Sequence, residues 1–117
     1  MHVLDSSAFI QEYHTQEPVA SIPMVREELE DESAYRFDAM EGSGMHIHIP
    51  DAETVDRIER AARETGDFAE LSRTDIRLVA AAFELDGHIV TDDYAMQNVA
   101  EKLEVSVQVI AREGISE

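Results

Sequence analysis

Residues 71–100, LSRTDIRLVAAAFELDGHIVTDDYAMQNVA, carry the pattern that decides the fold. Apolar residues recur at helical spacing over Ser72–Asp86, which predicts an amphipathic helix. The short apolar run His88–Thr91 then reads as a buried strand, and Asp92-Asp93 cap a further helix that ends at Leu103. A helix, a strand and a second helix in succession are typical of a parallel α/β sheet.

The rest of the chain continues this alternation. The predicted elements are a strand at His2–Leu4, a helix that begins at Ser6 with Asp5 or Ser6 as its N-cap, a helix from Pro23 to about Glu41, a strand at Met45–Ile49, a helix at Asp51–Thr65 and a last strand at Val105–Ile110. Glu12–Ser21, which contains Pro18, is predicted to be a loop. Right-handed crossovers would place helices on both faces of the sheet.

Length and composition favour one globular domain over residues 1–117, because 44% of the residues are hydrophobic. There is no apolar run of about 18 residues and no signal-peptide pattern, so we expect no membrane span and a cytoplasmic location. The absence of cysteine excludes disulfides, thiol catalysis and cysteine-bound zinc within these residues.

The charge balance is strongly acidic, with 26 acidic residues against 9 basic ones and a formal net charge of −17. These acids are spread along the whole chain. Salt at about 1 M shortens the Debye length to about 3 Å and would screen their repulsion. We therefore expect a halophile surface. The rival interpretation is a basic partner, which a single acidic block would have favoured.

Some carboxylates do not follow the pattern of surface acids. Asp5 and the pair Asp92-Asp93 directly follow predicted strands, and binding sites in parallel sheets form beyond the carboxyl ends of strands. Asp75 lies on the apolar side of its helix, and Glu28 lies near the centre of an apolar stripe that includes Met24, Val25, Leu29 and Tyr35.

Each of these acids also has a purely structural explanation, in most cases as a helix cap. Asp75, for example, could complete a capping box with Ser72. Four carboxylates at one sheet edge would, however, repel one another, and unpaired buried charge is costly. A hard divalent cation such as Mg²⁺ or Mn²⁺ would resolve this conflict and could activate water for phosphoryl displacement.

At this point the motifs match a known family. The chain resembles PIN-domain nucleases through VLDSSAFI, VREEL, LSRTDIRLVAAA and IVTDDYAMQNVA. More narrowly, SIPMVREELEDE, LSRTDIRLVAAAFEL and TDDYAMQNVAEKL resemble the Nob-type endonuclease of archaea, which trims the 3′ end of small-subunit ribosomal RNA. The resemblance implies a three-layer α/β/α fold with a four- or five-stranded parallel sheet. It also implies Mg²⁺- or Mn²⁺-dependent cleavage of single-stranded RNA during ribosome biogenesis, with the pre-small ribosomal subunit as a partner.

Carried over by position, the resemblance assigns metal ligation and catalysis to an acidic quartet: Asp5, Glu28, Asp75 and Asp93. Asp92 is a further candidate ligand. Ser7 and Thr91 are expected to support the site, Ser7 by bonding a metal-bound water or orienting Asp5.

The resemblance also implies a zinc ribbon with paired CxxC motifs, which these residues lack. Phosphate contacts would fall to four arginines: Arg26, Arg36, Arg73 and Arg77. His46 and His48 share a strand face that we expect to be solvent-exposed, with metal binding as the minor alternative. Self-association into a homodimer stays open. So do two other functions, a toxin-type PIN ribonuclease of a toxin–antitoxin pair and a non-catalytic PIN scaffold that binds RNA or protein.

Overall fold

The computed structural model describes residues 1–110, so the last seven residues of the predicted 1–117 domain lie outside the described part. The strands are β1 (His2–Leu4), β2 (Val19–Ser21), β3 (His46–Ile47), β4 (His88–Val90) and β5 (Ser106–Gln108). The helices are α1 (Ser6–Ile10), α2 (Pro23–Glu28), α3 (Asp31–Gly42), α4 (Ala52–Thr65), α5 (Arg73–Leu85) and α6 (Tyr94–Lys102). A single 3-10 turn, Phe68–Glu70, precedes α5.

The five strands form one sheet in the order β3-β2-β1-β4-β5, and every pairing is parallel. Helix α1 contacts both α2 and α3, and α4, α5 and α6 form a second group in which each helix contacts the other two. Right-handed crossovers place these groups on opposite faces, because the strand order reverses its direction after β3. The α/β prediction is thus confirmed, with five strands and three layers.

The core lies between the sheet and these two helical layers. β1 is the central strand, and its Val3 and Leu4 are buried on both sides, as in most parallel sheets. Helix α5 crosses behind β1 and β4, and the small residues Ala80–Ala82 let it pack closely there. None of the described helices is long and apolar enough to cross a membrane.

Two element predictions were wrong. The segment assigned to a loop contains β2, whose three residues are too few to show a strand pattern and follow directly after Pro18. The helix predicted from Pro23 to about Glu41 is two helices, because Leu29 is extended and Asp31 has a φ of +53°. The break turns α3, so Tyr35 is exposed instead of joining the apolar stripe.

Candidate active site

Asp5 follows β1 and is the centre of the polar cluster at the carboxyl edge of the sheet. The residue is 7% exposed, and it is the only charged residue that is buried among those the structure describes. It caps helix α1, because Oδ1 accepts a hydrogen bond from the Ser6 backbone N–H at 2.6 Å. Of the two predicted caps, Asp5 is therefore the one in use.

Thr91 directly follows β4 and connects two of the predicted site residues. Its fully buried hydroxyl donates to Asp5 Oδ2 at 2.7 Å and accepts the Asp93 backbone N–H at 3.1 Å. β1 and β4 are neighbours in the sheet, so this hydroxyl fixes the carboxylate of one strand end against the loop that follows the other. These contacts are consistent with the supporting role predicted for Thr91, which stays a prediction.

Asp75 both caps a helix and contributes to the cluster. Its Oδ2 accepts the Ser72 backbone N–H at 2.9 Å, and Ser72 Oγ accepts the Asp75 N–H at 3.0 Å, which completes the predicted capping box. The side chain is nevertheless half-buried. Burial raises the pKa of Asp75, and repulsion from Asp93 and Glu28 acts in the same direction, against the hydrogen bonds from Ser72.

The Asp5 carboxyl is more strongly affected. Burial raises its pKa to about 6, and the negative charges of Asp75 and Asp93 add to this, although hydrogen bonds from Thr91 and Ser6 oppose it. Asp5, Asp75 and Asp93 each lie at the start of a different helix, and the charges of Asp75 and Asp93 reach the Asp5 carboxyl. An ionised Asp5 is therefore an unfavourable charge unless a cation accompanies it.

Glu28 and Asp92 lie further out than the three aspartates. Glu28 is exposed at the end of α2, so its predicted place at the centre of an apolar stripe is wrong, but its charge still acts on Asp75. Asp92 is exposed, and its Oδ2 accepts a hydrogen bond from Gln11 Nε2 at 2.9 Å. Asp93 instead caps α6, since its Oδ1 accepts the Met96 N–H at 3.2 Å.

The residues present fit a hard divalent cation in their chemistry. All the charged donors are carboxylate oxygens, which Mg²⁺ and Mn²⁺ prefer. In addition, the Ser7 hydroxyl is buried beside Asp5 with no hydrogen-bond partner, as expected if it bonds a metal-bound water. Within residues 1–110 no three Asp, Glu or His side chains are close enough together to enclose an ion as they stand.

Two of the four predicted phosphate-binding arginines are paired with acidic residues. Arg26 forms a two-bond ion pair with Asp38, and Arg36 donates to the Phe9 carbonyl and contacts Glu12. By contrast, Tyr94 is 81% exposed at the first turn of α6, one residue after Asp93. From the sequence, RNA contact and helix packing are equally open for Tyr94. The contact of Gln11 with Asp92 has no sequence signal, because it joins residues that are distant along the chain.

The comparison with known families shows to which family the chain belongs. Residues 2–85 match the family described as the PIN domain of ribonuclease. The chain belongs to the PIN-domain family of ribonucleases.

Individual relatives show which members of the family this PIN domain resembles. It is 36% identical to Endoribonuclease Nob1 of Archaeoglobus fulgidus over 99% of the chain and 72% of that protein. The identity to Endoribonuclease Nob1 of Methanocaldococcus jannaschii is also 36%, over 95% of the chain and 57% of that protein. A third relative, the 20S-pre-rRNA D-site endonuclease nob1 of Schizosaccharomyces pombe, is 29% identical over 66% of the chain and 20% of its own length.

These relatives confirm the predicted resemblance to Nob-type PIN nucleases and, with it, the endoribonuclease class. The matched segment 2–85 contains three members of the acidic quartet, and the near-complete alignment with the archaeal relatives also spans Asp93. The roles of the individual carboxylates stay a prediction. The same holds for the cytoplasmic location, the homodimer and the halophile surface.

Proposed function

We propose that this PIN domain is a divalent-metal-dependent endoribonuclease that acts on pre-rRNA of the small ribosomal subunit, at its 3′ end. The observation that carries the proposal is the placement of the buried Asp5 with Asp93, to which the Thr91 hydroxyl links it, and of Asp75, whose charge acts on Asp5. The name of the Schizosaccharomyces pombe relative supports a pre-rRNA substrate, and divalent-metal dependence is general among PIN nucleases.

Asp5, Asp75 and Asp93 would hold Mg²⁺ or Mn²⁺, with Glu28 and Asp92 at the margin of the site. Such an ion stabilises charge on the phosphoryl group and lowers the pKa of a bound water. The other groups of this site position the carboxylates and orient the water. Thr91 fixes Asp5 Oδ2 and the backbone of Asp93 through one hydroxyl, so the two carboxylates keep their separation.

Ser7 supplies the remaining polar group of the centre. Its buried hydroxyl has no partner among the described residues and lies in the helix that Asp5 caps, which supports a role in holding the attacking water by one hydrogen bond. Pre-organised hydrogen bonds of this kind reduce the cost of orienting water at the moment of reaction.

RNA contact must be achieved with few free cations. Of the four predicted arginines, Arg26 and Arg36 are held by acidic neighbours. Tyr94 offers an exposed aromatic face beside Asp93, and single-stranded bases stack on such side chains. Stacking is less sensitive to salt than phosphate neutralisation, which suits an acid-rich chain.

The test is cleavage of an RNA that spans the 3′ end of small-subunit rRNA and its flanking sequence, in molar KCl with Mn²⁺. We expect Asp93→Asn to lower the cleavage rate by about 100-fold or more, whereas Asp92→Asn, the neighbouring exposed acid, should lose much less. An Asp93→Asn protein that cleaves as fast as wild type would refute the assignment.

The choice of substrate is tested separately. A scrambled single-stranded RNA of equal length, which lacks the rRNA 3′ end, serves as the comparison. Equal cleavage of both RNAs would leave an endoribonuclease but contradict the rRNA proposal.

A further inference from the structure

His46 and His48 form a pair at the edge of the sheet that the nuclease site does not use. β3 is an edge strand. His48 directly follows it, and the backbone N–H of His48 donates to the Ser21 carbonyl. His46 Nε2 lies 3.3 Å from His48 Nδ1, and the ring centroids are 5.4 Å apart. His46 is exposed, but His48 is half-buried, so the predicted fully solvent-facing strand side is only partly correct.

The second nitrogen of His48 is held by a carboxylate. Glu84 Oε1, on helix α5, lies 2.7 Å from His48 Nε2, and Glu84 Oε2 accepts the Asp51 N–H at 2.9 Å. Burial alone would raise the pKa of Glu84, but hydrogen bonds from Thr54, His48 and Asp51 outweigh it and the pKa is lowered. An ionised Glu84 accepts the Nε2–H of His48, which leaves the lone pair of a neutral His48 on Nδ1, facing His46.

We propose that His46 and His48 form a two-histidine site for a borderline transition-metal ion such as Zn²⁺ or Ni²⁺. Two nitrogens bound at about 2.05 Å to a tetrahedral Zn²⁺ lie about 3.3 Å apart. His46 Nε2 and His48 Nδ1 have this separation. It is long for a hydrogen bond between two nitrogens. Each ring would need to turn by about 35° from facing the other to facing a shared ion, and the exposed His46 is free to do so.

Glu84 completes the arrangement that histidine ligands commonly show. A metal-bound histidine usually donates its other N–H to a carboxylate, which fixes the tautomer and the ring orientation. Two positions on the ion remain for water. The site differs in class from the acidic centre, since imidazole favours Zn²⁺, Ni²⁺ and Cu²⁺, whereas carboxylates favour Mg²⁺ and Mn²⁺.

The ion would also connect parts of the fold. Glu84 already joins the end of β3 to the start of α4 through His48 and the Asp51 N–H. A bound ion would tie the exposed His46 into this connection. It would stabilise the edge strand by mass action, since the unfolded chain does not hold the pair at this spacing.

The test is calorimetric titration of the untagged protein with Ni²⁺ and then Zn²⁺ in molar KCl, with excess Mg²⁺ present to occupy the acidic centre. We expect one bound Ni²⁺ per chain and a melting temperature that rises with Ni²⁺ concentration. His46→Ala and His48→Ala should weaken binding at least about tenfold, and Glu84→Gln by about 10- to 100-fold.

The control is His88→Ala, because His88 and His2 form a separate edge-to-face pair with ring centroids 5.6 Å apart. Binding should be unchanged in that variant. Nickel binding that is absent in the wild-type protein, that survives His46→Ala unchanged, or that is lost equally in His88→Ala would overturn the proposal. Imidazole resonances of His46 and His48 should also broaden at substoichiometric Ni²⁺, and this readout does not depend on nuclease activity.

Discussion

The buried Asp5 carboxyl makes a quantitative prediction about stability. Its pKa rises from 3.8 to about 6 on folding, mainly because the group loses water. The folded state therefore holds the Asp5 proton more tightly than the unfolded state does. Below pH 4 both states are protonated and there is no cost. As pH rises through 6, Asp5 must ionise in the folded state. At pH 7.5 this lowers the free energy of unfolding by about 3 kcal/mol.

Asp5→Asn removes this cost and keeps the shape of the side chain. The neutral amide still offers one oxygen to the Ser6 N–H or to the Thr91 hydroxyl, so one of the two hydrogen bonds weakens, at about 1 kcal/mol. We therefore expect the metal-free variant to be about 2 kcal/mol more stable than wild type at pH 7.5. The difference should shrink below pH 6 and reverse near pH 4, where only the lost hydrogen bond remains.

The assay is urea unfolding in constant molar KCl with EDTA at pH 4, 5, 6 and 7.5, so that the general repulsion of the acidic chain is screened. Asp56→Asn, an exposed change on α4, controls for the loss of one negative charge. Adding Mn²⁺ should stabilise the wild-type protein and not Asp5→Asn. A variant that is less stable than wild type by the same amount at every pH would refute the reasoning.

Four further changes test other parts of the description. Thr91→Val keeps the volume but leaves two buried groups without a partner, so it should cost about 1–3 kcal/mol in urea unfolding, and Thr91→Ser should restore much of it. Glu28→Gln should slow RNA cleavage more than Glu27→Gln, because Glu28 acts electrostatically on the acidic centre; equal rates would remove Glu28 from the site. Gly87→Ala should lower the melting temperature, since an added Cβ would lie 2.7 Å from the Met1 carbonyl oxygen and overpacking costs about 1–3 kcal/mol; an unchanged melting temperature would contradict that contact. Lowering KCl from molar to about 0.1 M should destabilise the fold if the surface is adapted to salt, as circular dichroism melting would show.

Sequence and structure agree most closely where local chemistry decides the outcome. Apolar spacing and the Ser72–Asp75 capping box predict helix α5, and the structure contains both the helix and the capping box. β2 could not be predicted because Val19–Ser21 is a three-residue strand whose identity depends on pairing with β1 and β3. Parallel pairing is a property of distant segments and leaves no local pattern in so short a run.

The same distinction between local and long-range features applies to the candidate site. The strand-end rule predicted the location of Asp5 and Asp93 beyond β1 and β4, because sheet topology fixes where strands end, while their role stays a prediction. The exposure of Glu28 was missed because Glu28 is the last residue of α2, and no proline or glycine marks the end of that helix at Leu29. The contact of His48 with Glu84 joins β3 to α5 over 36 residues and needs three-dimensional packing to be seen.

The capping roles of the three central aspartates have a consequence for ion choice. Asp5 Oδ1, Asp75 Oδ2 and Asp93 Oδ1 each accept a backbone N–H at the start of a helix. The other oxygens of Asp75 and Asp93 accept no hydrogen bond within the described residues, whereas Asp5 Oδ2 also accepts the Thr91 hydroxyl and has only its second lone pair to offer. Each carboxylate is therefore disposed to bind an ion through one atom. Calcium favours bidentate carboxylates and six to eight ligands, whereas the smaller Mg²⁺ takes one oxygen from each carboxylate and keeps several waters. The three helix starts therefore act as a filter on denticity, which disfavours Ca²⁺ before size is considered.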